Sequence, residues 1–170
     1  MIDLIRIAFV IILLTLGFAC YFLVLNALFP RRTAKTMNVV QQMPLRSFGI
    51  GLVNFLFFGT ITVILFAVAE NFQEGGDKIP YAILMIPTLF FMGLLTTVLS
   101  FGIVAISNIL GERLFPELPQ WRKTFWGTVV LAFACAIPAV GWVLLFPLVA
   151  ITGFGAVLLG FFQREARVVE

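Results

Sequence analysis

The chain has 170 residues, of which 62% are hydrophobic and 11% charged, with a formal net charge of +3 and no histidine. Soluble domains average about 45–50% apolar and about 25% charged residues, so water is excluded as the main solvent and a sizeable soluble domain does not fit in this length. Without His, the commonest metal ligand and the usual axial ligand of haem are missing, so no metal and no cofactor is expected; the modest positive charge also argues against a nucleic-acid partner.

A single membrane helix needs about 20 apolar residues, and on that measure five stretches are predicted to span. The first runs from Ile7 to Phe29. Its Gly17-Phe18-Ala19-Cys20 loosely resembles a lipoprotein cleavage site, but apolar residues continue past Cys20 and the basic flank is a single Arg6 beside Asp3, so a retained helix is expected. The loop that follows carries Arg31, Arg32, Lys35 and Arg46 without an acid. Within it Ala34, Met37, Val40 and Met43 recur every third residue, consistent either with a short helix lying on the membrane surface, its bases meeting anionic headgroups, or with an ordinary solvated loop.

The second span is predicted from Phe48 to Ala69, with Ser47 as its hydroxyl cap. The third runs from Tyr81 to Ile106, with Pro80 at its start and Pro87 inside, where a kink is expected. From Thr124 to Phe162 thirty-nine residues pass without a charge. Ile137-Pro138-Ala139-Val140-Gly141-Trp142 interrupts that run near its middle, so Pro138 and Gly141 are expected to turn a hairpin between spans 124–140 and 142–162, with Trp142 at an interface. Pro119 precedes the first arm, and Pro147 inside the second predicts another kink. A re-entrant hairpin would leave the chain ends on the same sides.

Lys and Arg accumulate on the cytoplasmic side of membrane proteins. Five spans place Arg31, Arg32, Lys35, Arg46, Arg113, Arg122, Lys123, Arg164 and Arg167 on one side against Arg6 and Lys78 on the other, nine against two; four spans give seven against four. The expected fold class is therefore an all-α polytopic bundle, one integral membrane domain over residues 1–170. Its N-terminus is expected outside and its C-terminus in the cytoplasm.

No ionisable residue lies at depth in any span, which removes the usual marks of proton relays and voltage sensors. Glu70, and Glu112 with Arg113, stand at helix ends. The uncharged polar residues Asn54, Thr60, Thr62, Thr96, Thr97, Ser100, Thr128 and Thr152 offer helix–helix hydrogen bonds. Asn54 is the most demanding, as an amide about two turns into a span. Small residues predict close packing along Thr128, Ala132 and Ala136, along Gly93 and Thr97, and along Ala156 and Gly160. Cys20 and Cys135 fall in apolar runs, where a thiol acts as a small hydrophobe. No phosphate loop, nucleophile elbow, carboxylate pair or metal-ligand spacing is present, so no catalytic residue is assigned and the expectation is a protein that is not an enzyme.

Pro44-Leu45-Arg46-Ser47-Phe48-Gly49, Gly111-Glu112-Arg113-Leu114, Gly127, Ile137-Pro138-Ala139-Val140-Gly141 and Thr152-Gly153-Phe154-Gly155 together resemble the bacterial four-helix membrane module often attached to bactofilin-like, polymer-forming domains. The resemblance covers about residues 44–162. It implies a bacterial cytoplasmic membrane and a hairpin at Pro138, and it brings no activity. The family's β-solenoid has no counterpart here, and an extra N-terminal helix stands in its place. The expected role is a scaffold or accessory subunit, partnered by membrane lipids and other membrane subunits; a small homo-oligomeric channel or transporter is the alternative.

Overall fold

The computed structural model describes residues 2–74, 78–137 and 140–162. In chain order the helices are α1 (Ile2–Leu28), α2 (Pro30–Gln42), α3 (Pro44–Glu74), α4 (Lys78–Leu114), α5 (Gln120–Ala136), a π-helical segment (Val140–Leu145) and α6 (Phe146–Phe162). No strand occurs among the described residues. Four stretches, in α1, in α3, in α4 and from Val140 to Phe162, are long and apolar enough to cross a membrane. The fourth predicted span, 124–140, corresponds to α5, which has 17 residues and a length of about 25 Å at 1.5 Å per residue.

Proline sets the joints. Phe29 (φ −129°, ψ 52°) and Met43 (φ −137°, ψ 60°) both leave helical geometry, and each directly precedes a proline, whose ring disfavours the α conformation in the residue before it. Pro30 and Pro44 then open α2 and α3, where a missing N–H leaves no bond unmade. Pro119 (φ −64°, ψ 154°) is the N-cap residue of α5.

Several local expectations are corrected. Because Pro44 starts α3, Ser47 falls inside the first turn instead of capping it: its hydroxyl donates to Met43 O at 2.9 Å. Both α3 and α4 run beyond their apolar windows, since a helix need not end where its hydrophobic stretch does. Helix α4 is a single helix of 37 residues with Pro87 inside it, so the proline does not end the helix, and a kink there is compatible with this continuity. Near Pro147 the irregularity is the π segment immediately upstream, which hands over to α6 at Phe146. Pro138 lies outside the described residues.

The packing order centres on α4 and α6. Helix α6 meets α3, α4 and α2; α4 also carries α5 on another side; α1 is attached chiefly through α5. Helix α2 is indeed a helix, but its inward face is Thr33, Thr36, Met37 and Val39, and Ala34 points out. Met37 packs with Ala105 and Ile109 of α4, with Val40 beside them. The three-residue stripe is thus replaced by a helical face applied to the bundle.

The crossings are made by glycines. A Cβ built on Gly102 would stand 2.6 Å from Gly153 Cα, and one on Gly153 would stand 2.6 Å from the Gly102 carbonyl carbon. Likewise a Cβ on Gly51 would meet the Ile151 carbonyl and Gly155 N, and one on Gly127 would meet the Ser107 carbonyl and Gly111 N. Lipid tails are as apolar as leucine, so helices in a membrane associate through such close backbone approach, not through burial of large side chains.

Candidate functional site

The interior mixes apolar side chains such as Phe154 and Val104 with several small polar ones, and the exterior is large and apolar. Ser47, Ser107, Asn108, Thr124 and Thr128 are at most 1% exposed, whereas Leu45 and Phe162 are each 85% exposed and Trp142 73%. In water this distribution would be inverted. It fits the class of membrane-embedded helical bundles, in which polar side chains join helices and apolar ones face lipid.

At one end of the bundle α1, α4 and α5 meet in a buried polar layer. Asn108 Nδ2 donates to Asn26 Oδ1 at 3.2 Å, and Asn26 Nδ2 donates to Thr124 Oγ1 at 3.2 Å. Thr124 Oγ1 in turn donates to Gln120 O, and Thr128 Oγ1 to Thr124 O. The layer is possible because Gly111 and Gly127 let the α4 and α5 backbones touch. Two of its atoms, Ser107 Oγ and Asn108 Oδ1, have no hydrogen-bond partner among the described residues.

The residues singled out from sequence are distributed differently. Asn54 is half-buried and donates to Ile50 O of its own helix at 2.9 Å. Thr62, Thr96, Thr97 and Ser100 also bond to carbonyls four residues back. Thr128 is buried, but Ala132 and Ala136 are only half-buried. The buried face of α5 is Thr124, Gly127, Thr128 and Leu131. Gly93 and Thr97 face outward, so α4 makes its close contacts at Gly102 and Gly111 instead. Ala156 and Gly160 are buried as expected. Gly141 is buried in the π segment, where an added Cβ would stand 2.6 Å from Ala134 O; the close approach to α5 explains why glycine stands there.

Asn26, Ser107, Asn108 and Thr124 carry the interhelical layer and were not singled out from sequence. Asn26 lies within a predicted span and was detectable there as a lone amide. Ser107-Asn108 begins one residue beyond the predicted end of its span, where the rule about polar groups at depth no longer applies.

A second feature lies at the same end of the molecule. Arg31, Arg32, Lys35 and Thr36 of α2 line a pocket of about 240 Å³ with Phe101 of α4 and Val157, Gly160 and Phe161 of α6. The Arg32 guanidinium stands 4.9 Å from the Phe161 ring centroid. Lys123 meets Gly111, and Arg122 stacks on Trp121 at 4.9 Å. The bases of α2 and α5 therefore share one end of the bundle. No family model, curated protein or solved structure matches the chain.

Proposed function

We propose that this chain is a non-enzymatic, multi-pass membrane protein acting as a scaffold or accessory subunit of a larger membrane assembly. The observation that carries this reading is the attachment of α1. It is 27 residues long, yet between Phe9 and Leu28 only Thr15, Ala19 and Phe22 are buried. The remaining faces present Phe9, Leu13, Leu14 and Phe18 outward. A helix with most of its apolar surface outward, as α3 and α4 also have, is well placed to join another protein's helices.

The finer parts of the proposal are five spans with α5 as the fourth, an external N-terminus, a cytoplasmic C-terminus and a bacterial cytoplasmic membrane. The gathering of bases at one end supports the orientation. Kinship with the module attached to polymer-forming proteins also belongs to the proposal. It rests on the short motifs around Ser47, Gly111, Gly127 and Gly153, which here are helix-crossing positions.

The second reading, a small homo-oligomeric channel or transporter, is favoured by the unpartnered Ser107 and Asn108 atoms. Against it, the hydroxyls and amide of α3 and α4 that would line a path are bonded within their own helices. Mild membrane extraction followed by native mass spectrometry separates the readings. The expected result is a heteromeric complex with a second membrane protein; a homo-oligomer supports the channel, and a solitary monomer overturns both.

A further inference from the structure

We propose that the pocket between α2 and the C-terminal end of α6 is a binding site for an anionic phospholipid, with Arg31 and Arg32 holding the phosphate. Its lining is divided as such a ligand is divided: Arg31 and Arg32 on one side, Phe101, Val157 and Phe161 on the other, with no carboxylate among the described residues that line it. Basic pockets between helices at the membrane surface are suited to anionic headgroups. The pocket volume of about 240 Å³ is several times the roughly 30 Å³ occupied by a water in the liquid, and an acyl chain can follow the apolar wall outward.

Three further observations orient the site. Arg32 Cζ lies over the Phe161 ring at 4.9 Å, a cation–π contact that holds the guanidinium beside the apolar wall. Thr36 donates to Arg32 O at 3.0 Å, tying the base-bearing turn to the next one. Arg31 and Arg32 also belong to the first turn of α2, whose N-cap residue Phe29 supplies no side-chain hydrogen bond; the positive end of that helix adds to the attraction for a phosphate. Leu28, Phe29 and Pro30 line an open depression that shares both arginines. Guanidinium groups grip a phosphate bidentately, which lysine cannot do.

The proposal rests on the membrane reading of the fold, and the test distinguishes failure of the site from failure of that reading. Purified protein in mixed micelles is titrated with phosphatidylglycerol or phosphatidylcholine, with thermal unfolding and native mass spectrometry as readouts. Wild type is expected to prefer phosphatidylglycerol about thirtyfold, from two bases near the surface. R31Q/R32Q is expected to bring the preference below twofold, while R113Q/R122Q, with the same loss of charge, keeps it. R31K/R32K, which retains charge and fold, is expected to fall between. No preference in wild type, an equal loss in R113Q/R122Q, or an unchanged preference in R31K/R32K each overturns the site and leaves membrane insertion intact. Stabilisation of the same size by inorganic phosphate overturns the lipid assignment. Release of the protein from membranes by alkaline carbonate without detergent would instead overturn the membrane reading itself.

Discussion

Asn108 spends half of its amide on Asn26 and leaves the other half, Oδ1, without a partner among the described residues. Interhelical hydrogen bonds in membranes average about 0.6 kcal/mol and reach about 1.7 kcal/mol, and the part-buried Asn26–Asn108 bond, which Asn26 extends to Thr124 on a third helix, belongs in the upper part of that range. A double-mutant cycle on Asn26→Ala and Asn108→Ala, read by unfolding in mixed micelles, is expected to give a coupling of about 1–1.7 kcal/mol. Zero coupling would mean that the two amides are neighbours without being joined. Ser107→Ala is expected to leave stability unchanged or raise it by up to about 1 kcal/mol, because a buried hydroxyl with no partner among the described residues has no bond to lose and its desolvation cost is relieved. At this scale the sequence was only partly legible. A side chain's identity shows its hydrogen-bonding capacity, but Asn54 and Asn26 look alike until the helices are placed, and only Asn26 has another helix within reach.

Among the elements, α6 is the one most completely enclosed, and its Gly153 and Gly155 serve opposite neighbours. Gly153 admits α4 at Gly102, and Gly155 admits α3 at Ser47 and Gly51. Gly153→Leu is therefore expected to destabilise the bundle by at least about 3 kcal/mol, the range of severe overpacking, or to prevent recovery of folded protein. Gly93→Leu, with nothing within 4 Å of its Cβ position, is expected to be near neutral. Equal behaviour of the two in size-exclusion chromatography after heating would refute the assigned crossings. Helix existence and rough extent were readable from apolar run length at this scale, as for α1 and α3. The faces were less readable, since four-residue spacing of small residues marks candidate contacts equally at Gly93, which faces outward, and at Ala156, which is buried. For α2 the sequence left a surface helix and a solvated loop both open, and the choice of protein for its inner face depended on α4 presenting Ala105 and Ile109.

For the whole molecule, hydrogen bonding of Asn26, Asn108 and Thr124 fixes a common level on three helices. From there α5 continues for 12 residues to Ala136, α1 for 24 to Ile2 and α4 for 30 to Lys78, or about 18, 36 and 45 Å along their axes. The hairpin is thus the short member of the bundle. Whether it spans is tested by substituted cysteines in a Cys20→Ala/Cys135→Ala background: N38C on the exposed side of α2 and W142C at the hairpin are expected to react with an impermeant maleimide from opposite sides of the membrane. Labelling from the same side would make the hairpin re-entrant. The single charge-free run announced a hairpin in the sequence, yet its shortness became visible only beside α1 and α4, whose apolar windows understate their helices. Unequal lengths also give the molecule a taper. Near the basic end α1, α2, α3, α4, α5 and α6 all contribute cross-section, while at the opposite extremity, among the described residues, α1, α3 and α4 continue furthest. Set across a bilayer, such a body would displace more lipid from one leaflet than from the other, and a bilayer bent to widen the leaflet around the basic end would accommodate it with less stretching than a flat one.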